Sequence, residues 1–304
     1  MAFEPSPAPQ PPRRAPRGAA QARRRTPVWP LLLPLYGFTL LFVFLPILYM
    51  FYLSFTTRAE VWGFVNAFTL ENYARITQPL YAATFFASLR LALLSTGILL
   101  LAGYPFGYMM ARLSPAWKKR VMLLVMVPFW TSSLIRLNGW VIVLRANGIL
   151  DKLAMGLGLT SAPLKLLYTY PAVVFGMVYE LLPFMILAVY TSAEKMDWTL
   201  VEAARDLGAS RWQAFWTVTL PMTMPGVLSG IILTFIPSMG LFYIADVLGG
   251  NKIVLVGSII QEQLTKGRNL PFAAAMSVIL MLLTSLLLAL YRRLTKSGEV
   301  EGIL

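Results

Sequence analysis

Three stretches of this chain, Val28–Phe55, Leu91–Ala111 and Leu270–Tyr291, carry no charged side chain. About 20 apolar residues in a helix cross a hydrocarbon layer of roughly 30 Å, so each is long enough to span a membrane. Hydrocarbon offers no partner to a free backbone N–H or C=O, and an open sheet edge is therefore excluded there. Three further stretches have the same character with one interruption each. Leu220–Ala245 is uncharged up to Asp246, Val121–Leu144 contains Arg136, and Leu166–Val189 contains Glu180. The chain reads as an all-α integral membrane protein with six transmembrane helices, in a domain covering residues 28–293. Pro46, Pro105, Pro128, Pro183 and Pro237 fall within or near these spans, and each implies a kink whose freed carbonyl needs another partner.

Orientation follows from the basic residues, since Lys and Arg in short loops stay on the cytoplasmic side. Most of the 26 collect on one side. They are Arg13, Arg14, Arg17 and Arg23 to Arg25 before the first span, Arg112, Lys118, Lys119 and Arg120 after the second, Lys195, Arg205 and Arg211 after the fourth, and Arg292, Arg293 and Lys296 after the sixth. Both termini are expected in the cytoplasm. Residues 1–27, rich in Pro, Ala and Arg, lack the apolar content for a core and read as a disordered tail laid against anionic lipid headgroups. Residues 294–304 form a short cytoplasmic tail. The net charge of +13 raises nucleic acid as a partner, but the sidedness of the basic residues assigns them to membrane anchoring instead. Histidine and cysteine are both absent. That excludes thiolate nucleophiles, His-based acid/base steps and the usual zinc sets, and no G-x-S-x-G serine elbow is present either.

The loop of residues 193–220 between the fourth and fifth spans breaks the apolar pattern with "EAARDLGASRWQAFWTVTLPMTMPG". Ala203, Ala204 and Leu207 fall on one helical face, Ala204 and Gly208 make a small-xxx-small pair, and Glu202, Arg205 and Asp206 charge the rim. Gly208 suits a helix end and Ser210 a new helix start, so the pattern reads helix, glycine turn, helix, membrane. On pattern alone this is equally an amphipathic connector. The spacing from Glu202 through Gly208 to Leu220 and Pro221 resembles the Glu-Ala-Ala loop of permease subunits in binding-protein-dependent ABC importers. That resemblance implies the type I permease fold in a bacterial inner membrane and a coupling helix formed by Glu202, Ala203, Ala204, Asp206, Leu207 and Gly208. It further implies a partner ATPase dimer, a second homologous permease and an extracytoplasmic binding protein. No GxxxxGK[ST] phosphate loop occurs in the chain, so ATP and its Mg belong to the ATPase and no cofactor is expected here.

Further stretches, "VPFWTSSLIRLNGW", "VYELLPFMILAVYTSAEKMD" and "SMGLFYIADVLGGNKIVLVGSIIQEQLTKGRNLPFAAA", resemble the polyamine branch of that family. A spermidine or putrescine pathway would need carboxylates beside aromatic faces, because a polycation is stabilised by both. Glu180 with Tyr179, Asp246 with Phe242 and Tyr243, and Trp130 are the candidates. Two plainer readings stand beside them: Glu180 neutralised by Arg136, and Asp246 facing water at the membrane surface. Trp29, Trp62 and Trp140 read as interfacial aromatics. Import of another small solute is the alternative cargo. A secondary transporter, with Glu180 or Asp246 exchanging ions, is the alternative mechanism, and it leaves the polar loop unexplained.

Overall fold

The structure is a computed structural model in which residues 29–250 and 252–301 are described. The expected tail over residues 1–27 and the last three residues lie outside that range. The chain divides into two units, Met1–Leu48 and Tyr49–Leu304. The described part of the first holds α1 (Trp29–Thr39), a π-helical segment Leu40–Phe44 and the start of α2 (Leu45–Ser54). The π segment immediately precedes Pro46, and a second, Phe215–Thr219, precedes Pro221. A widened turn accommodates a proline ring that would otherwise strike the preceding carbonyl. Apolar side chains are exposed along the first segment, Leu33 and Leu40 among them.

The second unit continues with a hairpin of β1 (Thr57–Arg58) and β2 (Phe64–Val65), antiparallel with Thr57 opposite Val65. It then runs α3 (Glu71–Ile76), α4 (Pro79–Ala111), α5 (Pro115–Met126), a 3₁₀ turn Val127–Trp130, α6 (Ser133–Leu144) and α7 (Ile149–Gly156). After these come α8 (Tyr170–Glu194), α9 (Thr199–Asp206), α10 (Arg211–Ala214), α11 (Leu220–Gly240), α12 (Phe242–Gly249), α13 (Val256–Thr265) and α14 (Leu270–Glu301). Among the described residues, five helices are long and apolar enough to cross a membrane, and a sixth crossing requires a bent pair to count as one.

In the expected span over Val121–Leu144, the kink expected at Pro128 is a full break between two helices. Pro115–Trp130 and Ser133–Gly156 meet at 93°. Thr131 and Ser132 between them are extended, because Pro128 tightens the preceding turn into a 3₁₀ form. The Pro128 carbonyl, which the break leaves outside any α-helical ladder, accepts from the Thr131 hydroxyl at 2.7 Å and from Arg136 Nη1 at 3.2 Å. The expected span Leu220–Ala245 also ends early. Its helix stops at Gly240, Leu241 turns the chain (φ −78°, ψ 58°), and α12 begins anew. Pro105 and Pro183, in contrast, stay within unbroken helices.

Helices α4, α8 and α11 pack together as the centre of the second unit. Small residues let their backbones approach, as in membrane bundles generally. A methyl added to Gly107 would lie 2.8 Å from the Ile186 carbonyl, and one on Gly226 would lie 2.4 Å from Ser192 Cβ. The buried Tyr104 hydroxyl meets Thr223 Oγ1 at 3.0 Å and ties α4 to α11. Around this centre, Leu137, Met177, Ile244 and Leu248 join α6, α8 and α12 in one apolar cluster.

Candidate functional site

Two groups of polar side chains stand out: a buried one at the bend before α6, and an exposed one on α9. In the first, the bend delivers Arg136, on the opening turn of α6, toward the middle of α8. Arg136 Nη2 donates to Glu180 Oε1 at 2.8 Å, with only 9% and 11% of the two side chains exposed. The guanidinium carbon lies 4.3 Å from the centre of the Phe129 ring and 5.8 Å from that of Tyr179. The ion-pair reading of Glu180 thus describes this conformation. Glu180 Oε2 and Arg136 Nε are both buried and have no hydrogen-bond partner. Pro128, Phe129 and Tyr179, which surround the guanidinium, also stand in the wall of an apolar cavity of about 320 Å³, together with Phe106 and Pro183.

The aromatic residues are distributed differently from the sequence expectation. Trp130 is 80% exposed, and Phe129, one residue earlier, supplies the ring over the cation. Trp140, read as an interfacial residue, packs edge-on to Phe175 and Tyr179 at 4.5 and 5.4 Å. Only the turn made by Pro128 decides which of two adjacent aromatics points inward, so residue order alone carries no signal for it.

Asp246 lies on α12, half-buried, and accepts from Ser258 Oγ of α13 at 3.1 Å. Phe242 and Tyr243 are in edge contact at 6.4 Å on the same short helix. The Tyr243 hydroxyl reaches Ser133 Oγ at 3.1 Å, so α12 is tied to the same opening turn of α6 that carries Arg136. Phe242, Tyr243 and Glu180 are brought to neighbouring elements, although more than 60 positions separate Glu180 from either. Ser133 and Ser258 were not singled out in the sequence, where an isolated serine in an apolar run gives no hint of its partner.

The second group lies just beyond the C-terminal end of α8. Asp197 Oδ1 accepts from the Thr199 N–H and hydroxyl at 3.0 and 2.8 Å and fixes the entry into α9. At the exit Gly208 takes φ +92°, where its N–H and that of Ala209 close on the Arg205 and Ala204 carbonyls. A reciprocal capping box between Ser210 and Gln213 then starts α10. The sequence pattern of helix, glycine turn, helix is present. Glu202, Ala203, Asp206, Leu207 and Gly208 are all exposed, Leu207 at 89%, whereas Ala204 is half-buried. Val201, Glu202 and Arg205 of α9 line a cleft of about 750 Å³ shared with Arg112, Trp198 and Arg211. Arg112 lies over the rings of Tyr108 and Trp198, so the end of α4 meets the entry to α9, and Lys118 pairs with Glu194 at 2.7 Å, tying the start of α5 to the end of α8.

Residues 103–297 match the family described as binding-protein-dependent transport system inner membrane component. The chain is 44% identical over 262 residues to the spermidine/putrescine transport system permease protein PotB of Haemophilus influenzae, covering 86% of this chain and 92% of that one. It is 42% identical over 275 residues to PotB of Escherichia coli, covering 89% and 100%. Its fold is similar to that of a chain in the crystal structure of a bacterial alginate ABC transporter, with a TM-score of 0.71 at 16% identity over 89% of this chain and 94% of that one. With the family match spanning the whole of α8 to α13, this chain belongs to the inner membrane components of binding-protein-dependent transport systems.

Proposed function

We propose that this chain is a permease subunit that passes a polyamine, spermidine or putrescine, inward across the bacterial inner membrane, driven by a separate ATPase dimer. The observation that carries the reading is the buried Glu180 carboxylate on α8, which holds an organic cation, the Arg136 guanidinium, against the rings of Phe129 and Tyr179. Asp246, on the same short helix as Phe242 and Tyr243, is the second candidate carboxylate. A flexible polycation is held by such groups. The names and identities of the PotB relatives support the same cargo. Trp130 is left as an exposed face on this chain's surface.

The exposed helix α9 is the element suited to coupling. Held at both ends by side-chain and glycine caps and standing clear of the bundle, it moves as a rigid piece, with Glu202, Ala203, Asp206, Leu207 and Gly208 offered to a partner and Ala204 at its base. ATP-driven closure of the ATPase dimer would draw this helix toward that of a second, homologous permease and open the pathway to an extracytoplasmic polyamine-binding protein. Both termini lie in the cytoplasm in this reading, the bent pair counts as the third of six spans, and lipid covers the apolar flanks. The chain itself performs no covalent chemistry.

The test is uptake of labelled spermidine and putrescine by cells that lack their own importers and express this chain with its co-encoded partners. ATP-dependent uptake that disappears with Glu202→Lys, at unchanged membrane insertion, is the expected result. ATP turnover without polyamine uptake would retain the importer and discard the cargo. Normal uptake by Glu202→Lys would remove α9 from the coupling role.

A further inference from the structure

The Arg136–Glu180 pair is built unlike an optimised structural salt bridge. An arginine and a carboxylate bind best through two parallel hydrogen bonds, yet here one bond forms while Nε and Oε2 are left buried and unpartnered. A buried ion pair stabilises a fold only when its remaining donors and acceptors are satisfied. The surroundings of the guanidinium supply what any organic cation needs: a carboxylate, the Pro128 carbonyl at 3.2 Å, and the faces of Phe129 and Tyr179. The wall of the apolar cavity of about 320 Å³ shares Phe129, Pro128 and Tyr179 with the cation's own surroundings. An alkylammonium shares this chemistry, with a charged end suited to the carboxylate and methylenes suited to the apolar wall that Pro128, Phe129 and Tyr179 have in common with the cavity.

We propose that Arg136 is a resident cation: its guanidinium occupies, in the empty permease, the carboxylate-and-aromatic box that an ammonium end of the cargo takes during passage, and the two exchange on Glu180. This rests on the polyamine reading for the cargo, while the box itself is defined by general cation chemistry. Exchange keeps Glu180 neutralised throughout, so a buried carboxylate is never left bare when the cargo departs. Arg136 lies one turn after the 93° bend, where α6 joins α5 through the 3₁₀ turn Val127–Trp130 and the non-helical Thr131 and Ser132.

The experiment uses the complete importer complex purified with its partners. Arg136→Ala empties the box, and thermal unfolding is followed with ethylammonium chloride against sodium chloride at equal ionic strength. Ethylammonium is expected to raise the unfolding temperature of Arg136→Ala by several degrees and to leave wild type and the double variant Arg136→Ala/Glu180→Gln unmoved. An Arg136→Ala complex that responds no more than the double variant overturns the proposal. Should Arg136→Ala fail to assemble, Glu180→Gln decides through cargo uptake at matched amounts of inserted complex. A loss of about tenfold or more supports exchange on that carboxylate, and uptake near wild type overturns it. Wild-type spermidine uptake is measured in parallel. Its absence beside an ethylammonium-stabilised Arg136→Ala would discard the cargo and leave the exchange site standing.

Discussion

Single residues in this molecule act mainly by closeness and by satisfying buried polar groups. Gly226 is the clearest case of the first, since a methyl there would sit 2.4 Å from Ser192 Cβ and 2.6 Å from the Ala188 carbonyl. Overpacking costs about 1–3 kcal/mol, so Gly226→Ala should lower the unfolding temperature of the complex by several degrees. Gly97→Ala, with nothing within 4 Å, should leave it unchanged or slightly higher. Asp151 is the clearest case of the second. It is 1% exposed and accepts from the Asn147 N–H at 2.8 Å and the Leu164 N–H at 3.1 Å, pinning the segment after α7. Asp151→Ala strands both donors, each worth about 1–3 kcal/mol when buried, and should speed limited proteolysis between residues 157 and 165. Asp151→Asn, which keeps an acceptor oxygen, should be cleaved more slowly than Asp151→Ala. Nothing in the sequence distinguished Asp151 from an ordinary acidic residue in a loop.

At the scale of the element, α9 shows how a short helix is made stiff without a core. None of its residues is buried, so its shape depends on Asp197 at the start, Gly208 at the end and the Ser210–Gln213 box beyond. Gly208 has open space around it, so a side chain there is opposed by the backbone conformation at φ +92° and not by crowding. Gly208→Ala costs roughly 1–3 kcal/mol of local strain. It should leave the complex assembled at wild-type abundance while lowering the number of cargo molecules moved per ATP hydrolysed, measured in proteoliposomes. The helix–turn–helix pattern of this loop was legible because capping chemistry is local: Gly208 and Ser210 lie two positions apart. The bend before α6 was not legible, because Pro128 also suits a kinked but continuous span, as Pro105 and Pro183 demonstrate in α4 and α8. What separates the cases is whether neighbouring groups satisfy an opened backbone, and here Thr131 and Arg136 do so at Pro128.

For the whole molecule, the centre of α4, α8 and α11 is buried, while large apolar side chains such as Phe86, Leu93, Leu101 and Phe106 on α4 are exposed. Lipid and partner subunits are the natural cover for such faces. The chain extracted alone should therefore unfold at lower temperature than within its complex, compared in the same detergent by thermal scan, because partner binding stabilises the folded state. Equal unfolding temperatures would show that the exposed faces of α4 need no protein partner. The sequence by itself determined the apolar spans, the polar loop between the fourth and fifth, and the kinds of residue a cation pathway requires, because hydrophobic length and capping act over neighbouring positions. Only the tertiary structure decided that Arg136 meets Glu180 across 44 positions, that Phe129 and not Trp130 faces the cation, and that Tyr243 is tied to Ser133 across 110. Those contacts depend on where a bent helix comes to rest against α8, and that is set by packing between elements distant in the chain.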